Sequence, residues 1–178
     1  MRSYREYTEM VVLGIDPGIS NTGFGVVTRH GSQLLALDGG VIETKNSDPL
    51  ETRLALISAR IEELIHEHEP DAMAIESIYF GKNVETAFLV GQARGAVVCS
   101  AGRADLAVAS YTPQQIKLAV CGSGGADKEQ VQRMVAALLD LPGELPSDHA
   151  ADALGVGICH VNAAPLEARL AAVGGSAQ

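Results

Sequence analysis

The run VVLGID, residues 11 to 16, is apolar throughout apart from Gly14 and ends on a single carboxylate, Asp16. Such a run marks a strand buried on both faces, and that strand needs a sheet covered front and back by other elements. The terminal acid adds a second constraint. Taking an ionised carboxylate out of water is costly unless a cation, donors or water meet it, so the end of this strand has to offer Asp16 a partner.

The segments TGFGVVTRH (22–30) and QLLALDGGVIET (33–44) are separated only by Gly31 and Ser32, the kind of link that joins an antiparallel hairpin. The chain therefore opens as a three-stranded antiparallel meander. Asp48-Pro49-Leu50-Glu51 reads as an N-cap, a first-position proline and a capping-box acid. The helix behind it carries Leu50, Leu54, Ile57, Ile61 and Leu64 as its core stripe and closes near His68. DAMAIES (71–77) is a second short apolar run ending in an acid, Glu76. A helix over about 83–102 and the strand LAVASY (106–111) follow. Thr112-Pro113-Gln114-Gln115 opens a short helix as a capping box, and Asp127 caps another with Val131, Met134, Val135, Leu138 and Leu139 inward. Ser147 opens a last helix expected to end near Val161. The expected fold is α/β, a mixed five-stranded sheet, the meander plus parallel strands, flanked by helices. Residues 1–165 are expected to form one domain and 166–178 a flexible tail.

Three cysteines, Cys99, Cys121 and Cys159, are odd in number and widely spaced. That disfavours disulfide and zinc frameworks and predicts reduced core thiols. No segment has the apolar length of a bilayer span or a signal peptide, so a soluble, cytoplasmic protein without membrane partners is expected. The formal net charge of −9 argues, taken alone, against nucleic acid, which usually leaves a basic footprint.

Two strands thus end in acids, and the start of the last helix, SDHAADAL, adds Asp148, His149 and Asp152. His149 and Asp152 are spaced to share a helix face, as are Asp148 and Asp152. If the strands ending in Asp16 and Glu76 are neighbours, hard oxygen donors and one imidazole converge at a sheet edge, a donor set suited to Mg²⁺ or Mn²⁺. Each residue also has a plainer role. Asp16 precedes a Pro-Gly turn, Glu76 is acceptable as a solvated strand-end acid, Asp148 as a helix-start charge and His149 as a surface histidine. Spacing alone leaves the two readings level.

GIDPGISNTGFGVV resembles the opening of the RuvC-type Holliday junction resolvases. AIESIYFGKNVETAFLVGQARG is similar to their second motif, and QIKLAVCGSGGADKEQV and HAADALGVGICH follow in the family's order and spacing. The resemblance runs over about 11–165. It implies a ribonuclease H-like fold, a homodimer, and symmetric paired nicking of four-way DNA junctions with two Mg²⁺ or Mn²⁺ ions per site, alongside a branch-migration complex of the RuvA and RuvB type. Carried over by position, Asp16, Glu76 and Asp152 match the catalytic, metal-binding acids. His149 falls at the remaining position, as ligand or as proton relay, and Asp148 drops out of the motif to a helix-start charge. An imidazole there predicts a preference for Mn²⁺ over Mg²⁺.

Of the four lysines, Lys82, Lys117 and Lys128 lie in these motif segments and are expected, with Asn83, to contact DNA phosphates. Tyr79 is expected to stack on an unpaired base at the crossover, with Phe80 more buried beside it. Ala87, Gly91 and Gly95 form a small-residue series on one helix. They are compatible with packing on the chain's own sheet, while the resemblance favours a homodimer interface. Two rivals remain. An actin-like or sugar-kinase-like ATPase would use DPGISNTG on phosphates but needs two such domains, so no nucleotide cofactor is expected. A junction-binding module without catalysis has no use for repulsive carboxylates beside DNA.

Overall fold

The meander forms as expected. In the computed structural model, which describes residues 10–77, 84–142 and 147–174, strand β1 (Val11–Asp16) pairs antiparallel with β2 (Asn21–His30), and β2 with β3 (Gln33–Glu43). The chain then crosses over through helix α1 (Leu50–His68) to β4 (Ala72–Glu76), which lies parallel to β1, and through α2 (Val84–Arg103) to β5 (Val108–Tyr111), parallel to β4. Helices α3 (Pro113–Cys121), α4 (Lys128–Leu138) and α5 (Asp148–Gly174) complete the described residues. The sheet order is β3-β2-β1-β4-β5, a mixed sheet of five strands.

Alternation along β1 assigns its residues to two cores. Leu13 and Ile15 face α1 and α2, among Phe24, Val26, Ile57, Ile61, Leu64, Met73, Ile75 and Val97. Val12 faces the other way, with Val27 and Ala74 of the sheet, against Ile116, Val135, Leu154 and Ile158 of the α3–α5 layer. Burying both faces of a central strand is what the unbroken apolar run requires.

Local signals held at α3 and α4. Thr112 and Gln115 exchange both capping-box hydrogen bonds, and Asp127 accepts from Gln130 N at 2.8 Å. Ser147 Oγ accepts from Ala150 N at 3.1 Å, so it opens α5 as expected. Three expectations need correction. Asp48 is not the cap of α1. Its backbone N–H is spent in a turn on Lys45 O, Pro49 occupies the cap position, and no side chain caps the helix. The last helix does not stop near Val161 but runs to Gly174, since the alanines, leucines, Glu167 and Arg169 of that stretch are strong helix formers; the tail expected from 166 is helical to that point. Of the three thiols only Cys159 is a core residue, Cys99 being exposed.

Candidate active site

Parallel pairing of β1 and β4 aligns Ile15 with Ile75, so the next residues, Asp16 and Glu76, emerge side by side at one edge of the sheet. This is the neighbour relation that spacing could not supply. The third contributor is α5, laid across β1 and β2. It approaches so closely that a Cβ on Gly23 would stand 2.0 Å from the carbonyl oxygen of His149, and one on Gly14 would stand 2.2 Å from that of Ala153. Only glycine tolerates such contact between backbones. The first turns of α5 are thereby pressed onto the strand that ends in Asp16.

The consequence is direct contact. His149 Nδ1 and Asp16 Oδ2 are 2.8 Å apart, and Nε2 of the same ring has no partner among the described residues. Glu76 and Asp152 line one cleft of about 240 Å³ with Lys117, Lys128, Pro113, Ile116 and Val131. Burial, then the charges of Asp16 and Asp152, push the Glu76 carboxyl up to about 7. Burial, followed by Asp16, also raises Asp152. Carboxylates raised by their own neighbours lack positive charge, and a divalent cation is the simplest supply of it.

The four residues are neighbours, not a closed cage: among the described residues no three His, Cys, Asp or Glu side chains surround a single point. Lys128 supplies part of the missing charge. Its Nζ lies 2.9 Å from Asp148 Oδ2 and 3.9 Å from Asp152 Oδ2, while Gln132 Nε2 donates to Asp148 Oδ1 at 2.8 Å. Hydrogen bonding to Lys128 lowers Asp148, and the same bond raises Lys128.

Asp16, Glu76, His149 and Asp152 are thus brought together, and Lys117 and Lys128 join them at the cleft. Tyr79, Phe80, Lys82 and Asn83 lie outside the described residues. Ala87, Gly91 and Gly95 do not make one outward face: Ala87 turns inward at 7% exposure, whereas a Cβ on Gly95 would meet nothing within 4 Å. The outward side of α2 shows Val84 and Phe88, 75% and 64% exposed. Sequence reasoning missed two features. Asp148 holds Lys128, for which the available signal was Lys128 and Gln132 four apart on a helix. Gly23 sets the seat of α5, with no local signal beyond a glycine inside a strand.

Comparison with known proteins agrees with this fold. The family described as crossover junction endodeoxyribonuclease RuvC matches residues 12–160. A crossover junction endodeoxyribonuclease RuvC of Trichlorobacter lovleyi is 48% identical over 157 residues, covering 88% of each chain. One of Vibrio vulnificus is 49% identical over 152 residues, covering 85% of this chain and 87% of that one. Thermus thermophilus RuvC, solved in complex with a Holliday junction substrate, superposes with a TM-score of 0.86 at 39% identity, covering 89% of this chain and 97% of the other. The yeast mitochondrial Holliday junction resolvase Ydc2 shares the fold at a TM-score of 0.64 and 16% identity, covering 87% of this chain and 79% of that one.

Proposed function

The chain belongs to the RuvC family of crossover junction endodeoxyribonucleases, and on that premise we propose that Asp16, Glu76, His149 and Asp152 hold two divalent ions, Mg²⁺ or Mn²⁺, against a DNA backbone phosphate. The protein is a metal-dependent, ribonuclease H-like endonuclease that resolves Holliday junctions. The observation that carries the proposed site is the crowding of Glu76 by Asp16 and Asp152, which with burial raises it to about 7, beside the His149–Asp16 hydrogen bond.

Bound there, the ions supply charge neutralisation at the phosphate and activation of the attacking water. The protein's own residues do the rest. The Glu76 carboxyl, pushed up to about 7 by burial and by Asp16 and Asp152, holds its proton more readily than an ordinary carboxylate in the metal-free protein, so cation binding displaces that proton. The hydrogen bond to Asp16 fixes the ring of His149 and leaves Nε2 facing away as the free donor or acceptor. Lys117 and Lys128 give an acidic protein a local positive cleft wall for phosphate. The products are a 5′-phosphate and a 3′-hydroxyl, a nick that a ligase can seal.

Paired nicks need two sites, and a homodimer formed through the outward side of α2 supplies them. The exposed Val84 and Phe88 beside the open Gly95 support that face. Within the described residues no helix is long and apolar enough to cross a membrane, in keeping with a cytoplasmic nuclease of one domain working beside a RuvA and RuvB type branch-migration complex. The test is a labelled synthetic four-way junction incubated with Mg²⁺, Mn²⁺ or EDTA and mapped for nicks. Symmetric paired nicks in either metal and none in EDTA are expected, with Mn²⁺ faster. Tight junction binding without product in both metals would leave a binding module instead.

A further inference from the structure

Arg53, on the first turn of α1, is the one lysine or arginine buried among the described residues, at 9% exposure. Neutral acceptors alone hold its guanidinium. Nε donates to Thr44 Oγ1 at 2.9 Å, and Nη2 donates to Ser20 Oγ at 2.9 Å and to Asn46 Oδ1 at 3.0 Å. Ser20 Oγ donates in turn to Asn46 Oδ1 at 2.9 Å. Among the described residues no acid forms an ion pair with Arg53, including Glu43, Asp48 and Glu51 close by in sequence. Nη1 has no acceptor, yet it is not sealed from solvent.

Buried charges are ordinarily paired, because an unmatched ion is costly to desolvate. Three neutral hydrogen bonds satisfy donors but leave the charge without a counter-ion among the described residues, and Nη1 stays open to an anion from outside the chain. Location says which anion. β2 begins at Asn21 and β3 ends at Glu43, opposite each other on the sheet edge where β1 ends in Asp16. Thr44 N donates to Ser20 O at 2.9 Å and Thr44 Oγ1 to Ile19 O at 2.6 Å, tying the cluster to the loop that follows Asp16. Two strand spacings, on the order of 10 Å, separate β3 from β1, on the flank of Asp16 away from Lys117 and Lys128. Lys45 and Asn46 are exposed there, and the uncapped start of α1 adds positive potential.

We infer that Arg53, held in place by Ser20, Thr44 and Asn46, seats a second backbone phosphate of the DNA through Nη1, on the β3 side of the bond that is cut, with the guanidinium as its counter-ion. The inference rests on the reading of the chain as a junction nuclease. Nη1, the guanidinium nitrogen without an acceptor among the described residues, is the donor left for a phosphate oxygen, and anchors on both flanks of Asp16 would fix the strand's register without reading its sequence.

The discriminating variant is Asn46→Asp, which puts a carboxylate oxygen where Asn46 Oδ1 already accepts from Nη2 at 3.0 Å. Supplied with an internal anion, the guanidinium no longer recruits an external one. Binding of a fluorescent synthetic four-way junction is measured in EDTA across a salt series, with Lys117→Ala as comparator. The expected result is a slope of log affinity against log salt shallower by about 1, binding about 10-fold weaker, the worth of one charge-assisted hydrogen bond, and a melting temperature at or above wild type. An unchanged slope beside normal wild-type binding overturns the phosphate seat alone. A variant that melts below wild type also overturns it, since an unmatched guanidinium gains from a carboxylate. Wild-type protein that binds no junction brings down the nuclease reading as well.

Discussion

The two faces of the sheet are packed by different rules. Against α1 and α2 the strands present full-sized side chains, Leu13, Ile15, Val26, Met73 and Ile75, which meet Ile57, Ile61 and Leu64. Against α5 they present Gly14, Gly23 and Gly25 beside Val12 and Val27, and the helix answers with Gly157 and the backbone of His149 and Ala153. The first face gains stability from apolar area removed from water, a quantity that small shifts hardly alter. The second face gives up side-chain area for proximity. Proximity is what a metal site needs, because the reach of Asp152 and His149 toward Asp16 depends on backbone position, and reacting groups lose rate steeply when displaced. The helix that carries His149 and Asp152 therefore sits on the glycine face.

The contrast is open to attack from the site outward. The largest effect is expected from Glu76→Gln, which removes a proposed ligand and should reduce junction cutting by more than the roughly 10–100-fold typical of partners one shell further out. The same variant has a second readout. Glu76 is raised from 4.5 to about 7, so between those values the folded chain keeps a proton that the unfolded chain has lost. The stability of the metal-free protein therefore falls as pH rises through that window, by at most about 3 kcal/mol. Denaturant unfolding in EDTA at pH 5 and pH 8 should show the fall in wild type and a much flatter response in the variant; equal slopes would mean that Glu76 is not held neutral.

Gly23→Ala comes next. Its Cβ cannot share space with His149 O at 2.0 Å, so α5 has to lift. A displacement of about 1 Å costs on the order of 10²-fold in rate, partly recovered at high Mn²⁺ if ligand spacing is what was lost. Rates measured at a temperature where the variant remains folded decide this, and a wild-type rate would remove the close approach of α5 from the site's design. The smallest effect is expected from Ile61→Val in the other core, about 0.5–1.5 kcal/mol in unfolding with junction cutting unchanged. A cutting defect there without loss of fold would break the division between the faces.

Much of this was legible in local pattern. The Gly31-Ser32 link between β2 and β3, the caps of α3 and α4, and the two acids ending apolar runs are short-range features, and the motif match extends them to the proposed metal ligands. The failures were local as well. Asp48 looks like a cap, but a turn onto Lys45 takes its place, and α5 passes Pro165 instead of stopping before it. Asp148 reads as a helix charge until α4 brings Lys128 and Gln132 against it.

By itself the sequence determined which segments are strands and helices, where the carboxylates stand along them, and which family the chain joins, because periodicity, caps and motifs act over a few residues. Only the tertiary structure decided which charges meet. Pairing β1 with β4 sets Asp16 beside Glu76, the glycine contacts under α5 bring His149 to Asp16, and the enclosure of Arg53 by Ser20, Thr44 and Asn46 leaves its charge unmatched. Coulombic and desolvation energies depend on distance and burial in space, and neither is written in the separation of residues along the chain.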